Sequence, residues 1–193
     1  FEPRIADYGH ASELVRPPFI ARFNPLRSYY EIRLINTHIV FSIKDEVKDF
    51  YAKKNVKFIK FNVEKDYTDS ELVLNEIEKK YDKIYAIAAL GGSIDHELTN
   101  INLLNRYSNL IFVSQKEKMF KIEKSYNFSN MKNKKVSFII FSDKVKDLTL
   151  KGFKYDVENL DLTKGETRCV SNIIEKNEAR LTLKNGALLC VVK

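Results

Sequence analysis

An acidic stretch, residues 64–71, offers the first side chains that could bind a metal ion or move a proton. Asp66 and Asp69 lie where a predicted strand gives way to a predicted helix. In open α/β sheets, ligands bind at the carboxyl ends of the strands, and clustered carboxylates suit Mg²⁺, which also bridges to phosphates. The same stretch has the form of a capping box, with Thr68 followed by Glu71. The pattern therefore fits a magnesium site, and it fits a simple helix cap better.

A glycine pair forms the second candidate site. Gly91 and Gly92 follow a continuously apolar stretch, 84–90, and precede a predicted helix. Glycine lets a backbone approach a ligand closely, and a helix N-terminus offers free N–H groups to an anion. Asp95 and His96 could bind metal or transfer protons, although a tight turn explains the pattern equally well. The P-loop and dinucleotide-binding fingerprints are both absent from the sequence.

A third polar segment lies near the C-terminal end. Thr167 is followed by Ser171 and Asn172 at the start of a predicted strand. Such side chains can hydrogen-bond a ligand, but they more often form a turn.

The elements that must position these residues change in character along the chain. Strands and helices alternate in the first part, which predicts a parallel sheet flanked by helices, a Rossmann-like α/β domain. The predicted strands are 19–21, 38–41, 56–61, 84–90 and 110–113, and the predicted helices are 43–54, 68–81 and 94–107. We place the domain boundary between residues 1–128 and 129–193, within a polar segment, 126–135, that reads as a linker.

The second part of the sequence contains only short strand patterns, which predict a small all-β sandwich or barrel. Asn185 and Gly186 carry the signal of a type I′ hairpin between the last two strands. The predicted strands are 136–141, 147–150, 153–157, 160–163, 170–174, 179–183 and 187–192.

Composition excludes several classes of protein. The 193 residues are 44% hydrophobic, too apolar for a disordered chain, and no apolar run approaches the ~18 residues of a membrane span. The first residues show no signal-peptide pattern, and Cys169 and Cys190 lack metal-ligand spacing. We expect a cytoplasmic protein with two buried thiols and no membrane partner.

The net charge of +7 does not identify a partner. Lysines are scattered among acidic residues, which suits a solvated surface or a small polyanionic substrate as well as a nucleic acid. The sequence contains no recognisable nucleic-acid-binding motif, so we expect no nucleic-acid partner.

In this order, the three segments resemble those of the thiamine pyrophosphokinase family. That family combines an acidic Lys-Asp-x-Thr-Asp stretch, a Gly-Gly-Arg-x-Asp-His turn before an Asn- and Leu-containing helix, and a Thr-x-x-x-Ser-Asn segment. The matching residues here are Lys65 to Asp69, Gly91 to His96 with Asn100, Asn102, Leu103 and Leu104, and Thr167 with Ser171 and Asn172.

The resemblance implies transfer of a pyrophosphoryl group from ATP to the thiamine hydroxyl, with release of AMP. It also implies Mg²⁺ and a homodimer in which an α/β nucleotide-binding domain precedes a thiamine-binding β-sandwich. By the same resemblance, the catalytic residues are Asp66, Asp69 and Asp95, with Asp66 and Asp69 also binding the metal. The nucleotide-binding residues are Gly91, Gly92, His96 and Asn100, and the thiamine-binding residues are Thr167, Ser171 and Asn172.

The sequence also departs from the family pattern. The family's Asp-Gly-Gly turn falls at 22–25, and its acidic Gly-Asp-Phe-Asp-Ser loop falls at 38–43, where neither motif is present. Ser93 stands where the family has Arg, which removes a fixed cation suited to phosphate. The alternative to an active enzyme is therefore a catalytically impaired relative that binds thiamine or nucleotide without turnover.

Overall fold

The computed structural model describes the backbone of four N-terminal strands and the full residues 66–87, 89–90 and 93–193. The strands are β1 (Phe19–Phe23), β2 (Tyr30–Arg33), β3 (His38–Phe41), β4 (Lys57–Phe58), β5 (Ile84–Ile87), β6 (Leu110–Val113), β7 (Lys118–Ile122), β8 (Ser125–Ser129), β9 (Lys135–Ile140), β10 (Lys144–Lys151), β11 (Val157–Thr163), β12 (Asn172–Ile173), β13 (Glu178–Thr182) and β14 (Leu188–Val192). The helices are α1 (Asp69–Ile77), followed by a 3₁₀ turn (Glu78–Lys80), and α2 (Ile94–Arg106).

Ten strands form one mixed sheet in the order β12-β9-β14-β7-β6-β5-β1-β2-β3-β4. The pairs β1–β5, β5–β6 and β3–β4 are parallel, and the other neighbouring pairs are antiparallel. The expectation of a purely parallel N-terminal sheet is therefore wrong. Two elements account for the difference, because β2 is inserted antiparallel between β1 and β3, and β7 extends the sheet into the C-terminal part.

Both helices in the described part of the chain match the sequence predictions. Thr68 caps α1, since its Oγ1 accepts a hydrogen bond from the Glu71 N–H at 3.3 Å. α2 begins after Ser93 and ends before Tyr107. Local signals suffice here because capping residues and apolar spacing act within one or two turns. Neither helix is long and apolar enough to cross a membrane.

The two helices pack on one face of the mixed sheet and enclose the first hydrophobic core. Its buried residues come from α1, α2 and the strands beneath them: Val73, Leu74, Ile77, Ile84, Ala86, Ala89, Leu103, Leu104, Tyr107, Leu110, Phe112, Met119, Leu189 and Val191. The core fixes α1 and α2 side by side, and so determines where their N-terminal ends lie.

A second core lies between the C-terminal part of the mixed sheet and a four-stranded sheet, β11-β10-β13-β8. β14 serves both cores because successive side chains of a strand point to opposite faces. Leu189 and Val191 belong to the first core, whereas Leu188, Cys190 and Val192 belong to the second. β7 serves both cores in the same way, with Met119 in the first and Phe120 and Ile122 in the second.

Two local predictions in this region are wrong. The supposed linker 126–135 contains β8, whose buried Phe128 alternates with exposed polar neighbours. The supposed strand 153–157 is mostly a turn, in which Gly152 has a φ of +90° and Asp156 accepts a hydrogen bond from the Phe153 N–H at 2.8 Å. The polar composition of 126–135 led to the linker prediction, because β8 exposes polar residues at 125, 127 and 129.

The Asn185–Gly186 turn is also not a hairpin. It connects β13 of the four-stranded sheet to β14 of the mixed sheet, and these strands do not pair. Gly186 alone has a positive φ, +101°, whereas a type I′ turn needs positive φ at both residues. The turn therefore changes sheets instead of reversing within one.

Several sequence predictions lie outside the described residues. These are the helix at 43–54 and the backbone conformation of Gly91 and Gly92. Both cysteines are free, with Cys190 buried and Cys169 partly buried.

Candidate functional site

The strands that precede α1 and α2 in the chain point toward the same edge of the mixed sheet. β4 precedes α1 and β5 precedes α2, and these two strands run in the same direction because β1–β5 and β3–β4 are parallel and two antiparallel steps separate β1 from β3. This edge is the carboxyl end of the parallel strands, where open α/β sheets bind their ligands.

The acidic segment stands at the start of α1. Asp66 is exposed, and Asp69 occupies the first helical turn and is partly buried. Carboxylates in a first turn complement the helix dipole, so a structural role is available to Asp69. No cluster of three or more metal-ligating side chains exists among residues 66–87, 89–90 and 93–193.

α1 is tied to α2 by polar contacts at the far end of α2. Arg106 pairs with Glu71, and the Tyr107 hydroxyl donates to Asn75 Oδ1 at 2.7 Å. Burial raises the pKa of Tyr107, which keeps this hydroxyl protonated as a donor. Arg106 follows Asp95 by eleven residues, roughly 16 Å along the helix axis. These contacts therefore hold the first turn of α1 beside the last turn of α2, and Asp95 lies well beyond them.

Asp95 is held in its charged form by its neighbours. The Ser93 hydroxyl donates to its carboxylate, as does the backbone N–H of His96, and both hydrogen bonds lower the pKa of Asp95. The group is fully exposed, so substrate can reach it. A carboxylate with a lowered pKa is a good hydrogen-bond acceptor and metal ligand at neutral pH.

Asn100 connects α2 to the loop that carries the glycine pair. Its Nδ2 donates to the Ala89 carbonyl at 2.8 Å, and the side chain is partly buried. Ala89 packs in the first core two residues before Gly91. The structure thus shows Asn100 holding the β5–α2 loop, while His96 is exposed on the first turn of the same helix.

The C-terminal segment places Asn172 inside the protein. This side chain is 1% exposed, and its Oδ1 accepts from the N–H groups of Tyr155 at 3.0 Å and Ile173 at 2.8 Å. Its Nδ2 donates to the Tyr155 carbonyl at 2.9 Å. The Asn172 amide therefore fixes the backbone of Tyr155 from both sides.

The Tyr155 ring that this clamp holds is 58% exposed. The Lys154 ammonium lies 5.5 Å from the ring centroid. An exposed aromatic face on a rigid backbone is a suitable surface for a flat or cationic ligand. Sequence reasoning missed Tyr155, which stands three residues after Gly152 in a segment predicted as a strand.

Ser171 and Thr167 are both exposed in the C-terminal part. Cys169 and Ser171 have positive φ values of 68° and 59°, and the Ser171 N–H donates to Ser137 Oγ at 3.0 Å. Such backbone conformations are costly for residues other than glycine and tend to accumulate at functional sites. Val170, which lies between Cys169 and Ser171, is 48% exposed.

The edge of the mixed sheet at which α2 begins, called the α2 edge below, continues along the sheet to the segment that contains Asn172. A single row of paired residues crosses six strands from β12 to β5: Asn172, Val136, Val192, Lys118, Val113 and Ile87. Five strand spacings separate the ends of this row, roughly 24 Å at ~4.8 Å each. The structure brings the two polar clusters to one edge, but it does not bring them into contact within one chain.

Comparison with known proteins gives two family matches along the chain. Residues 41–115 match the family model for "Thiamin pyrophosphokinase, catalytic domain". Residues 118–188 match that for "Thiamin pyrophosphokinase, vitamin B1 binding domain". The thiamine pyrophosphokinase of Bacillus subtilis is 35% identical over 139 residues, 68% of this chain and 64% of that protein. Thiamine pyrophosphokinase 1 of Oryza sativa subsp. japonica is 26% identical over 155 residues, 73% and 59% respectively.

Solved structures give the same result. The crystal structure of the Bacillus subtilis thiamine pyrophosphokinase has a TM-score of 0.68 at 26% identity, covering 79% of this chain and 77% of that one. The thiamin pyrophosphokinase of Geobacillus thermodenitrificans has a TM-score of 0.68 at 28% identity, covering 77% and 71%.

The fold and the polar edge define a mixed α/β protein with a second, all-β core joined to it through a shared sheet. The chain belongs to the thiamin pyrophosphokinase family. It spans 64% of the Bacillus subtilis relative and 59% of the rice relative.

Proposed function

We propose that the protein transfers the diphosphate group of ATP to the hydroxyl of thiamine, giving thiamine diphosphate and AMP. The observation that carries this proposal is the single sheet edge that bears both polar clusters, in a chain matched by both family models. Residues 1–128 form the nucleotide-binding, Rossmann-like unit of the proposal, and residues 129–193 form most of a β-sandwich that binds thiamine.

At the α2 edge, Asp95 is the proposed acceptor for the thiamine hydroxyl proton. Its carboxylate is exposed and ionised, so it can accept a hydrogen bond from the alcohol and orient the oxygen toward the β-phosphorus. Such positioning of reacting groups supplies much of the rate in phosphoryl transfer. Gly91, Gly92, His96 and Asn100 are the proposed nucleotide-binding residues.

Asp66 and Asp69 are the proposed ligands of the Mg²⁺ that accompanies ATP. Magnesium typically takes one or two protein carboxylates and completes its coordination with waters and substrate phosphates. An exposed Asp66 and an Asp69 on the first helical turn provide that donor chemistry. When bound, the ion would neutralise charge on the phosphates.

At the other end of the edge, Tyr155 is the proposed contact for thiamine, together with Ser171 and Thr167. The thiazolium ring of thiamine carries a positive charge, which favours an aromatic face. Asn172 contributes by holding Tyr155 in place, because its amide is already bonded within the protein.

We infer that the working form is a homodimer. The reacting atoms must approach within about 3–3.5 Å, whereas roughly 24 Å separates the two clusters in one chain. A second copy can supply Tyr155 and Ser171 to the α2 edge of the first. We place the protein in the cytoplasm, where its free Cys169 and Cys190 would stay reduced.

A second candidate function is binding without turnover, and the replacement of Arg by Ser93 favours it. Purified protein, ATP, Mg²⁺ and thiamine distinguish the two by the release of AMP. Thiamine-dependent AMP formation, abolished in Asp95→Asn, supports the enzyme. Calorimetric binding of thiamine or ATP without AMP formation assigns the protein to the binding class instead.

A further inference from the structure

The turn between β13 and β14 carries the single Asn-Gly pair of the sequence, Asn185 and Gly186. Asn185 is exposed. The Gly186 N–H donates to Oδ1 of Asn185 at 2.8 Å. Because a carbonyl bond is about 1.23 Å long, this contact keeps the Asn185 Cγ within about 4 Å of the Gly186 nitrogen.

We propose that Asn185 is a site of spontaneous deamidation, in which Gly186 supplies the nucleophile. The Gly186 nitrogen loses its proton to solvent and attacks Cγ of Asn185. The new N–Cγ bond closes a five-membered succinimide, the Cγ–Nδ2 bond breaks, and ammonia leaves. Water then opens the ring at either carbonyl, which yields aspartate or isoaspartate, so that water is the single co-reactant and no oxidant is needed.

The turn holds the two reacting groups in place. The Lys146 N–H donates to the Asn185 carbonyl at 2.9 Å, and the Lys184 N–H donates to the Lys146 carbonyl at 2.9 Å. Gly186 itself must be glycine, because a Cβ there would lie 2.2 Å from the Lys144 carbonyl oxygen. No side chain therefore shields the attacking nitrogen, and a fixed near-attack arrangement favours ring closure.

Conversion to isoaspartate would matter because the turn leads directly into a buried strand. The isoaspartyl linkage adds a methylene to the main chain at residue 185, three residues before β14 begins. All five residues of β14 are buried, and the strand contributes to both cores. Because Gly186 lies close against the Lys144 carbonyl oxygen, a longer backbone beside it should disturb β14, one of the strands that contribute to both cores.

The chain provides its own internal controls. Asn130, Asn133 and Asn159 are also exposed and have positive φ values of 58°, 68° and 50°. A residue with a bulky side chain comes after each of them, Met131, Lys134 and Leu160. Asn185 itself does not have a positive φ, and if exposure were enough, these sites would react as fast as Asn185.

The test is to age the full-length protein in mildly alkaline buffer at 37 °C and digest it with trypsin, which releases residues 185–193. We expect the replacement of NH₂ by OH to accumulate in that peptide at least about tenfold faster than at the three control sites. Isoaspartate should exceed aspartate, and the aged protein should melt at a lower temperature. Asn185→Gln, which closes a ring far more slowly, should keep its melting temperature through the same ageing.

Two results would overturn the proposal. One is an intact Asn185 amide in the folded protein over a period in which urea-unfolded protein deamidates there, since the turn would then be protective. The other is equal modification of Asn185 and the control asparagines. The variant Asn185→Asp contains the aspartate product alone. If it melts at the wild-type temperature while the aged protein melts lower, the loss of stability comes from the isoaspartyl product.

Discussion

Asn172 and Tyr155 are joined by two hydrogen bonds in opposite directions, with Asn172 Oδ1 accepting from the Tyr155 N–H and Nδ2 donating to the Tyr155 carbonyl. The asparagine is buried and the tyrosine ring is exposed. The Asn172 side chain therefore fixes the backbone of Tyr155, and the Tyr155 ring is free to contact a ligand. The resemblance predicts that Ser171 and Asn172 both contact thiamine. In the structure Ser171 is exposed, whereas Asn172 is buried and supports the backbone of Tyr155.

Asn172→Ala should destabilise the protein, because it leaves two backbone groups of Tyr155 without partners. Losses of this kind cost about 1–3 kcal/mol, which lowers the melting temperature by roughly 3–10 °C in a protein of this size. Thermal unfolding measures the effect. Asn127→Ala, on the exposed side of β8, is the matched control and should melt at the wild-type temperature. If the two variants melt at the same temperature, Asn172 does not support the backbone of Tyr155.

Tyr155→Ala should raise the KM for thiamine about fivefold to tenfold, in line with the energies of aromatic and cation–π contacts. Tyr155→Phe keeps the ring and should stay near the wild-type KM. Both variants should melt close to the wild type, because the side chain is exposed. A Phe variant as impaired as the Ala variant would show that the hydroxyl, not the ring face, is the contact.

Asp95→Asn should lower kcat by about 10²–10⁴-fold, the range for loss of a proton-accepting group, with little change in thermal unfolding. The amide keeps the shape of the turn but removes the charge that the Ser93 and His96 hydrogen bonds stabilise. Glu97→Gln, on the same helical turn, is the control and should retain its rate. Normal AMP release by Asp95→Asn would leave Asp95 with only a structural role at the start of α2.

Asn100→Asp should raise the KM for ATP about tenfold and leave the KM for thiamine nearly unchanged. The substitution removes the donor to the Ala89 carbonyl and sets a carboxylate against it, which releases the loop that carries the glycine pair. Asn102→Asp, exposed on the same helix, is the comparison. If both substrates lose affinity equally, Asn100 supports the whole edge and not the nucleotide loop.

Lys118 predicts a pH dependence of stability in the pH range below the ordinary pKa of lysine. Burial lowers its pKa, as does the nearby charge of Lys83, and its amine lies between the rings of Tyr85 and Phe120. The unfolded chain holds this proton to higher pH than the folded protein does, so stability should rise as pH increases from the folded pKa toward the ordinary lysine value. Urea unfolding at several pH values should show this rise reduced in Lys118→Met. It should persist in Lys124→Met, whose lysine is exposed.

Local patterns in the sequence were sufficient where the physics is local. The Thr68 cap and the apolar spacing of α2 depend on residues within a few positions, and both predictions are confirmed. The order and mixed direction of the strands depend on contacts between distant segments. β14 looked like half of a hairpin, yet its uninterrupted burial comes from two cores that no local pattern contains.

The candidate site shows the same limit. Asp95 could be proposed from a motif because its partners Ser93 and His96 are its immediate neighbours. The role of Asn172 depends on Tyr155, seventeen residues away in the chain. Exposure of an aromatic residue is a property of the fold, so Tyr155 could not be singled out from its neighbours in the sequence.

The division of one site between two copies is tested most directly by mixing variants. One subunit carries Asp95→Asn and the other carries Tyr155→Ala with Ser171→Ala, coexpressed with different tags, and AMP release is measured at thiamine concentrations below KM. A shared site predicts about a quarter of the wild-type activity, because half of randomly assorted dimers are mixed and each of these keeps one intact site. Activity no greater than the average of the two parent variants would contradict it.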